Sequence, residues 1–177
     1  MSKEVKVSVV MPVYNASEFI EEAISSILNQ THKTLELIIV EDKSTDESLQ
    51  IIKSFNDSRI ILIENKVNSG IVVSLNTGIS QSSGKYIARM DADDISEMNR
   101  LELQVRHMEL NESIGVCGSF ANIFGHNNGT WRTPQMHEDI VSGLLNGSTF
   151  CHPSVIIRAS VLKKNEIKNS PFSHIFI

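Results

Sequence analysis

The sequence predicts an α/β fold with a mostly parallel central sheet and helices on both faces. Three observations lead there. Short apolar runs rich in Val and Ile recur through the first half of the chain. They alternate with stretches whose apolar residues recur at helical spacing. Polar, mostly acidic residues stand directly after the runs. Alternation of this kind indicates parallel strands covered on both faces. Ligands of such sheets bind outside the carboxyl ends of the strands, at a topological switch point.

Val5 to Met11 is the first strand, which Pro12 is expected to stop. Asn15 is expected to open a helix with Glu18 as its capping-box partner. Ile20, Ala23, Ile24, Ile27 and Leu28 form that helix's apolar face. Leu35 to Val40 is a second strand, followed by Glu41-Asp42-Lys43. Ser44 and Glu47 read as a capping box for a helix through about Phe55. Ile60 to Ile63 is a third strand. The polar turn Asn65 to Gly70 leads into a helix that stops at Ser82-Ser83-Gly84. Tyr86 to Met90 is a fourth strand, with Asp91-Ala92-Asp93-Asp94 at its end. The second half is less regular. A helix is expected over Asn99 to Asn111 and a strand over Ile114 to Phe124, interrupted by Gly115 and Gly118. A turn follows over His126 to Gly129, then a helix over His137 to Asn146. A last strand spans Phe150 to Arg158, where Pro153 suggests an edge or a bulge. No repeat, linker or low-complexity segment divides the chain, so residues 1–177 read as one domain.

Composition narrows the function. The 177 residues are 41 % hydrophobic and 21 % charged, ordinary globular values that exclude bulk disorder. Sixteen Lys and Arg against 21 Asp and Glu leave a net charge of -5, not the basic background of a nucleic-acid binder. Cys117 and Cys151 match no zinc spacing and are too few for a disulfide framework, so free thiols are expected. The N-terminus lacks a signal-peptide core and no apolar run approaches membrane-helix length. The expectation is a cytoplasmic protein, with peripheral membrane association left open.

The sharpest chemical feature is Asp91-Ala92-Asp93-Asp94. Three carboxylates so close repel one another unless something positive joins them. Strand alternation would put Asp91 and Asp93 on one side and Asp94 on the other. Two carboxylates on one side suit Mg²⁺, which takes one or two and fills its other positions with water and phosphate oxygens. The plainer reading is a solvated turn with Asp94 capping the next helix. Asp42 closes the second strand as Asp91 closes the fourth. It reads as an acceptor for a ribose hydroxyl or base N–H, or as a turn residue. Pro12 to Asn15 offers backbone groups and the flat face of Tyr14, or mere punctuation. Asn68-Ser69-Gly70 precedes a helix N-terminus that could take an anion. Neither a P-loop nor a dinucleotide fingerprint is present. Arg89 and Lys85 read as phosphate partners or surface charges, with Arg89 on the side of Asp91. His152, beside Cys151, reads as a structural histidine. Trp131 reads as a sugar platform or a core residue.

These segments together resemble family 2 glycosyltransferases. Val9-Val10-Met-Pro-Val-Tyr-Asn15, the helix reaching Asn29-Gln-Thr31, and Ile38-Ile-Val-Glu-Asp-Lys-Ser-Thr-Asp46 carry the opening. Asn68-Ser-Gly70, Asn76-Thr-Gly78 and Gly84-Lys-Tyr-Ile-Ala-Arg-Met-Asp-Ala-Asp-Asp94 continue it in order. Arg100-Leu-Glu-Leu-Gln104 and His152-Pro-Ser-Val155 extend it to nearly the whole chain. The resemblance implies a GT-A fold and inverting transfer of a sugar from a nucleotide-diphosphate donor, read as a UDP-sugar. The acceptor would be a glycan or a lipid-linked saccharide, as in polysaccharide assembly. It places Pro12, Tyr14, Asp42, Asn68, Arg89 and Asp91 around the nucleotide. Asp91 and Asp93 would lie at a Mg²⁺ or Mn²⁺ ion, and Asp94 would face sugar or acceptor. Residues 1–95 would form the nucleotide-binding half and 96–177 an incomplete acceptor-side half.

Two departures stand out. Glu41-Asp42-Lys43 replaces the usual Asp-Asp-Gly. The general base that inverting transfer needs is an Asp in a Glu-Asp pair in the family, and it is expected beyond Ile177. Glu166, the one carboxylate after Pro153, is not assigned that role. The alternative function is therefore a non-catalytic module or fragment that binds nucleotide-sugar and metal without its base. A metal-dependent nucleotidyltransferase is a third reading, disfavoured because Pro12 to Asn15 is not a glycine- and basic-rich phosphate loop.

Overall fold

The computed structural model describes residues 5–125, 128–145 and 147–162. The first half runs β1 (Val7–Val13), α1 (Ile20–Leu28), β2 (Leu35–Glu41), α2 (Ser48–Ser54), β3 (Ile60–Glu64), α3 (Ile71–Gln81) and β4 (Tyr86–Arg89). Then come α4 (Arg100–Leu110), β5 (Val116–Cys117), β6 (Ala121–Ile123), β7 (Gly129–Trp131) and α5 (His137–Gly143). A 3₁₀ turn (His152–Ser154), β8 (Ile156–Arg158) and α6 (Ala159–Leu162) complete the described chain. Six strands form one sheet in the order β3-β2-β1-β4-β8-β5, and β6 pairs with β7 alone. Neighbours among β1 to β4 are parallel, while β8 runs against both β4 and β5.

Central strands must be apolar on both faces, and β2 is buried at all seven positions. Along β1 the side chains alternate. Val7, Val9, Met11 and Val13 meet Ile20, Ile24 and Ile27 of α1 and Leu101 and Met108 of α4. Val10 goes to the other face, with Leu75 of α3 and Ile87 of β4. Helices thus cover both faces. On the α3 side the approach is very close: a Cβ on Gly78 would clash with Val10 Cγ1. The glycine of Asn76-Thr-Gly78 is a packing residue.

Glu36 is buried at the opposite end of the sheet from the polar strand ends. Ser8 Oγ, Ser83 N and Ser83 Oγ donate to it, and Lys6 Nζ lies 2.6 Å away. Burial pushes its carboxyl up, but these donors outweigh that and hold it below the ordinary range.

Several expectations need correction. Pro12 does not stop the first strand, which continues to Val13 opposite Glu41. Even-numbered residues of β1 turn their backbone groups toward β4, as Met90 N on Val10 O and Lys85 N on Lys6 O show. Pairing with β4 ends at Val10 opposite Arg89. The N–H that Pro12 lacks therefore falls where no ladder partner stands. Asn15 and Ser44 do not cap helices; α1 and α2 begin at Ile20 and Ser48, without side-chain caps. The expected strand over Ile114 to Phe124 is two short strands in different sheets. The expected strand over Phe150 to Arg158 begins only at Ile156, and it is interior, between β4 and β5. Pro153 sits instead in the 3₁₀ turn, which suits its fixed φ. The helix from His137 ends at Gly143. His126 and Asn127 of the expected turn, Asn146, and Glu166 lie outside the described residues. Cys117 and Cys151 are free thiols, as expected.

Candidate active site

The strand order turns back at β1, with β2 on one side and β4 on the other. A cleft of about 400 Å³ opens there, at the carboxyl ends of these strands. Pro12 near the end of β1, Tyr14 after it, Asp42 after β2, and Asp91 and Asp93 after β4 line it, with Asn68 and Gly70 ahead of α3. Phe19, Ile71 and Ser74 also line it and were not singled out in the sequence. Tyr14 is 50 % exposed and Phe19 47 %, so two aromatic rings stand half in water at its rim. Arg89 does not line this cleft; it lines a small apolar cavity with Val10, Leu75 and Val155.

Arg89 nonetheless shapes the site. Its Nε and Nη2 donate to the two carboxylate oxygens of Asp91 at 2.9 and 3.1 Å. That fork orients Asp91 and offsets its charge. Strand alternation does not govern Asp91 and Asp93, because the chain leaves the sheet after Arg89 and turns, with Asp94 N on Asp91 O. Asp93 is exposed and has no hydrogen bond or ion pair among the described residues. Asp94 is partly buried. Burial first, then the charges of Asp91 and Asp93, push its carboxyl up to about 6. The loop thus carries more negative charge than Arg89 and Arg100 balance. Among the described residues no three His, Cys, Asp or Glu side chains form a cage. One unpartnered carboxylate beside a second, oriented one fits a Mg²⁺-like ion that draws its other ligands from phosphate and water.

Asp42 lines the cleft and is also engaged within the chain. It is 3 % exposed, and its oxygens already accept from Asn65 Nδ2 (2.7 Å), Ser69 N (2.9 Å) and Gly70 N (2.7 Å). Burial would raise its pKa; these donors and Ser74 outweigh it and keep the carboxyl low. It therefore engages the backbone just ahead of α3, whose first turn carries no side-chain cap. Its evident task is to hold the loop 65–70 that presents Asn68.

The β1–α1 and β2–α2 loops are tied together. Asn15 N donates to Ser44 Oγ and Thr45 N to Asn15 Oδ1. Ala16 N donates to Ser48 Oγ, and Ser17 N to Asp46. These bonds account for Asn15 and Ser44, whose side chains face a loop rather than a helix end. Glu41 accepts from Ser44 N. Lys43, where the resemblance expects Gly, holds φ +63°, so the turn keeps its left-handed form with a lysine in it. Lys43→Gly is expected to stabilise the fold by about 0.5–1 kcal/mol, because left-handed strain of about 1–2 kcal/mol exceeds glycine's entropic cost. Thermal melting checks this; a lower melting temperature contradicts it.

The second-half motifs also meet. Arg100 Nη1 donates to Pro153 O, and Gln104 Nε2 to Ser154 O. Lys85 bonds Glu109, away from the cleft residues. His152 Nε2 lies 2.8 Å from Ser148 Oγ, in keeping with a structural histidine. Trp131 is 45 % exposed on β7 and is not a core residue.

The sequence model of "Glycosyl transferase family 2" matches residues 8–166. An uncharacterized glycosyltransferase of Haemophilus influenzae is 38 % identical over 183 residues, covering 94 % of this chain and 57 % of the relative. The Escherichia coli UDP-Glc:alpha-D-GlcNAc-diphosphoundecaprenol beta-1,3-glucosyltransferase WfgD is 39 % identical over 114 residues, covering 64 % of this chain and 45 % of WfgD. The chain thus spans about half the length of these relatives. Among solved structures, S. aureus TarS 1-349 in complex with UDP-GlcNAc superposes with a TM-score of 0.76 at 24 % identity, over 93 % of this chain and 48 % of TarS. The mannosyltransferase PcManGT of Pyrobaculum calidifontis, in complex with GDP-Man and Mn²⁺, gives 0.71 at 18 % identity, over 94 % and 48 %. At these identities the likeness is one of fold, and it is the GT-A fold.

Proposed function

We propose a function from the premise that the chain belongs to glycosyl transferase family 2. It binds a UDP-sugar and a Mg²⁺ or Mn²⁺ ion in the cleft at β1, and serves inverting transfer of the sugar to a glycan or lipid-linked acceptor. The acceptor is met in the cytoplasm, at the inner face of the membrane when lipid-linked; no described helix is long and apolar enough to cross that membrane. Support for the donor comes from WfgD, named for UDP-Glc and a diphosphoundecaprenol acceptor, and from the UDP-GlcNAc complex of TarS. Support for the ion comes from PcManGT with Mn²⁺. The observation that carries the reading is Asp93, unpartnered among the described residues, beside Asp91 at the switch-point cleft.

In this reading Pro12, Tyr14 and Asn68 form the wall against the nucleoside. Asp42 keeps the Asn68 loop in place, and Arg89 keeps Asp91 oriented. Asp91 and Asp93 hold the ion, which offsets charge on the departing diphosphate. No described residue is assigned as general base. Residues 1–95 supply the donor side, and the later residues the acceptor side.

Titration calorimetry tests this. UDP is expected to bind in the presence of Mn²⁺, more tightly than GDP. Asp93→Ala is expected to weaken Mn²⁺-dependent binding about tenfold or more, since one of at most two protein ligands is lost. Absence of UDP binding with Mn²⁺, or unchanged affinity in Asp93→Ala, overturns the reading. Preference for GDP overturns the uridine assignment alone.

A further inference from the structure

Arg100, the first residue of α4, is 8 % exposed, and no carboxylate lies within ion-pair distance of it among the described residues. Its guanidinium is instead shared among oxygens of three segments. Nε donates to Ser96 Oγ at 2.8 Å, and Nη1 to Pro153 O at 2.8 Å and Arg89 O at 3.3 Å. One turn later Gln104 Nε2 donates to Ser154 O at 2.7 Å. A buried cation without a bonded carboxylate is costly, and well-packed apolar side chains commonly do as well or better for stability. Burial lowers its pKa to about 10, so it still carries its charge at neutral pH. The charge that reaches it is that of Asp94, within the acidic loop.

We propose that Arg100 is a positioning residue for the loop Asp91–Asp94: by joining the carbonyl of Arg89 to that of Pro153, it fixes where the loop leaves β4. This rests on the function proposed above. Its guanidinium bridges the last residue of β4 to the 152–154 turn, and its charge offsets that of Asp94. A lysine keeps the charge but lacks the planar fork needed for both carbonyls and Ser96 together.

The test compares wild type, Arg100→Lys and Ser96→Ala by calorimetric UDP affinity with and without Mn²⁺, alongside thermal melting. Arg100→Lys is expected to cut the Mn²⁺-dependent gain in affinity about tenfold, with Mn²⁺-free affinity changed less than about twofold. Ser96→Ala, which removes the acceptor of Arg100 Nε and one of three acceptors of Gln30 Nε2, is expected to lower the gain by a smaller factor. A merely structural arginine lowers the melting temperature and leaves the gain intact; that result overturns the proposal. If Arg100→Lys does not fold, an intact gain in Ser96→Ala overturns it and a reduced gain upholds it. A wild-type chain with no Mn²⁺-dependent gain overturns the proposed function itself, and this inference with it.

Discussion

Gly84→Ala is expected to destabilise the protein by about 3 kcal/mol or more, lowering its melting temperature by roughly 6–12 °C. A Cβ there would lie 2.7 Å from Ser8 N, 2.8 Å from Lys6 O and 2.8 Å from Ser8 Oγ. Two of these atoms are backbone of the chain entering β1, and they cannot swing away. Gly84 N also donates to Ser8 Oγ, which in turn donates to the buried Glu36. Moving Gly84 therefore strains the start of the β1–β4 ladder and exposes a carboxylate network together. Gly129→Ala is the control: nothing stands within 4 Å of its Cβ position, and a change within about 0.5 kcal/mol is expected. Denaturant unfolding of both variants decides the matter. A Gly84→Ala protein within about 1 kcal/mol of wild type contradicts the packing argument.

Asp42→Ala is expected to cost about 3 kcal/mol and to weaken UDP binding severely. It leaves Asn65 Nδ2, Ser69 N and Gly70 N without their acceptor, each loss costing about 1–3 kcal/mol where water cannot enter. The loop presenting Asn68 then loses its anchor. Asp42→Asn keeps one oxygen but turns an amide N–H₂ on one of these donors, and about half the cost is expected. The pH dependence follows from the depressed carboxyl. Its stabilisation is fully present above the unfolded value near 4, and is lost as pH falls through the lower folded value. The stability gap between wild type and Asp42→Asn, measured by urea midpoints, is therefore expected to narrow from pH 7 to pH 3. A gap independent of pH contradicts the role given to the carboxylate.

The parallel core was legible because its cause is local. Runs such as Leu37 to Val40 are too apolar and too short to be anything but central strands, and Ile20, Ala23, Ile24 and Ile27 mark a helix face directly. What escaped depends on partners far along the chain. Asn15 and Ser44 have the composition of caps, yet they are bonded to each other's loops across 29 residues. Pro12 looks like a stop signal until the length of β4 is known. Strands of two or three residues such as β5 and β8 have too few positions to show a period. The acidic loop was readable from its place after a strand; its fork with Arg89, which reads in the sequence as a phosphate partner or surface charge, was not. The work of Asp42 and Arg100 was not, since both act through backbone groups that no sequence pattern displays.

The clasp between the β1–α1 and β2–α2 loops has a thermodynamic consequence. Backbone donors of Asn15, Ala16, Ser17 and Thr45 are all engaged by side chains across the gap, three from the opposite loop and one from Ser48 at the start of α2. That wall of the cleft, Pro12 to Ala16, is therefore set before any ligand arrives. Ordering a residue costs about 1–2 kcal/mol, and here folding has already met that cost. Under the proposed function, nucleotide association at this wall is expected to proceed as entry into a finished mould, with a small entropy penalty and a rate limited by encounter rather than by loop rearrangement.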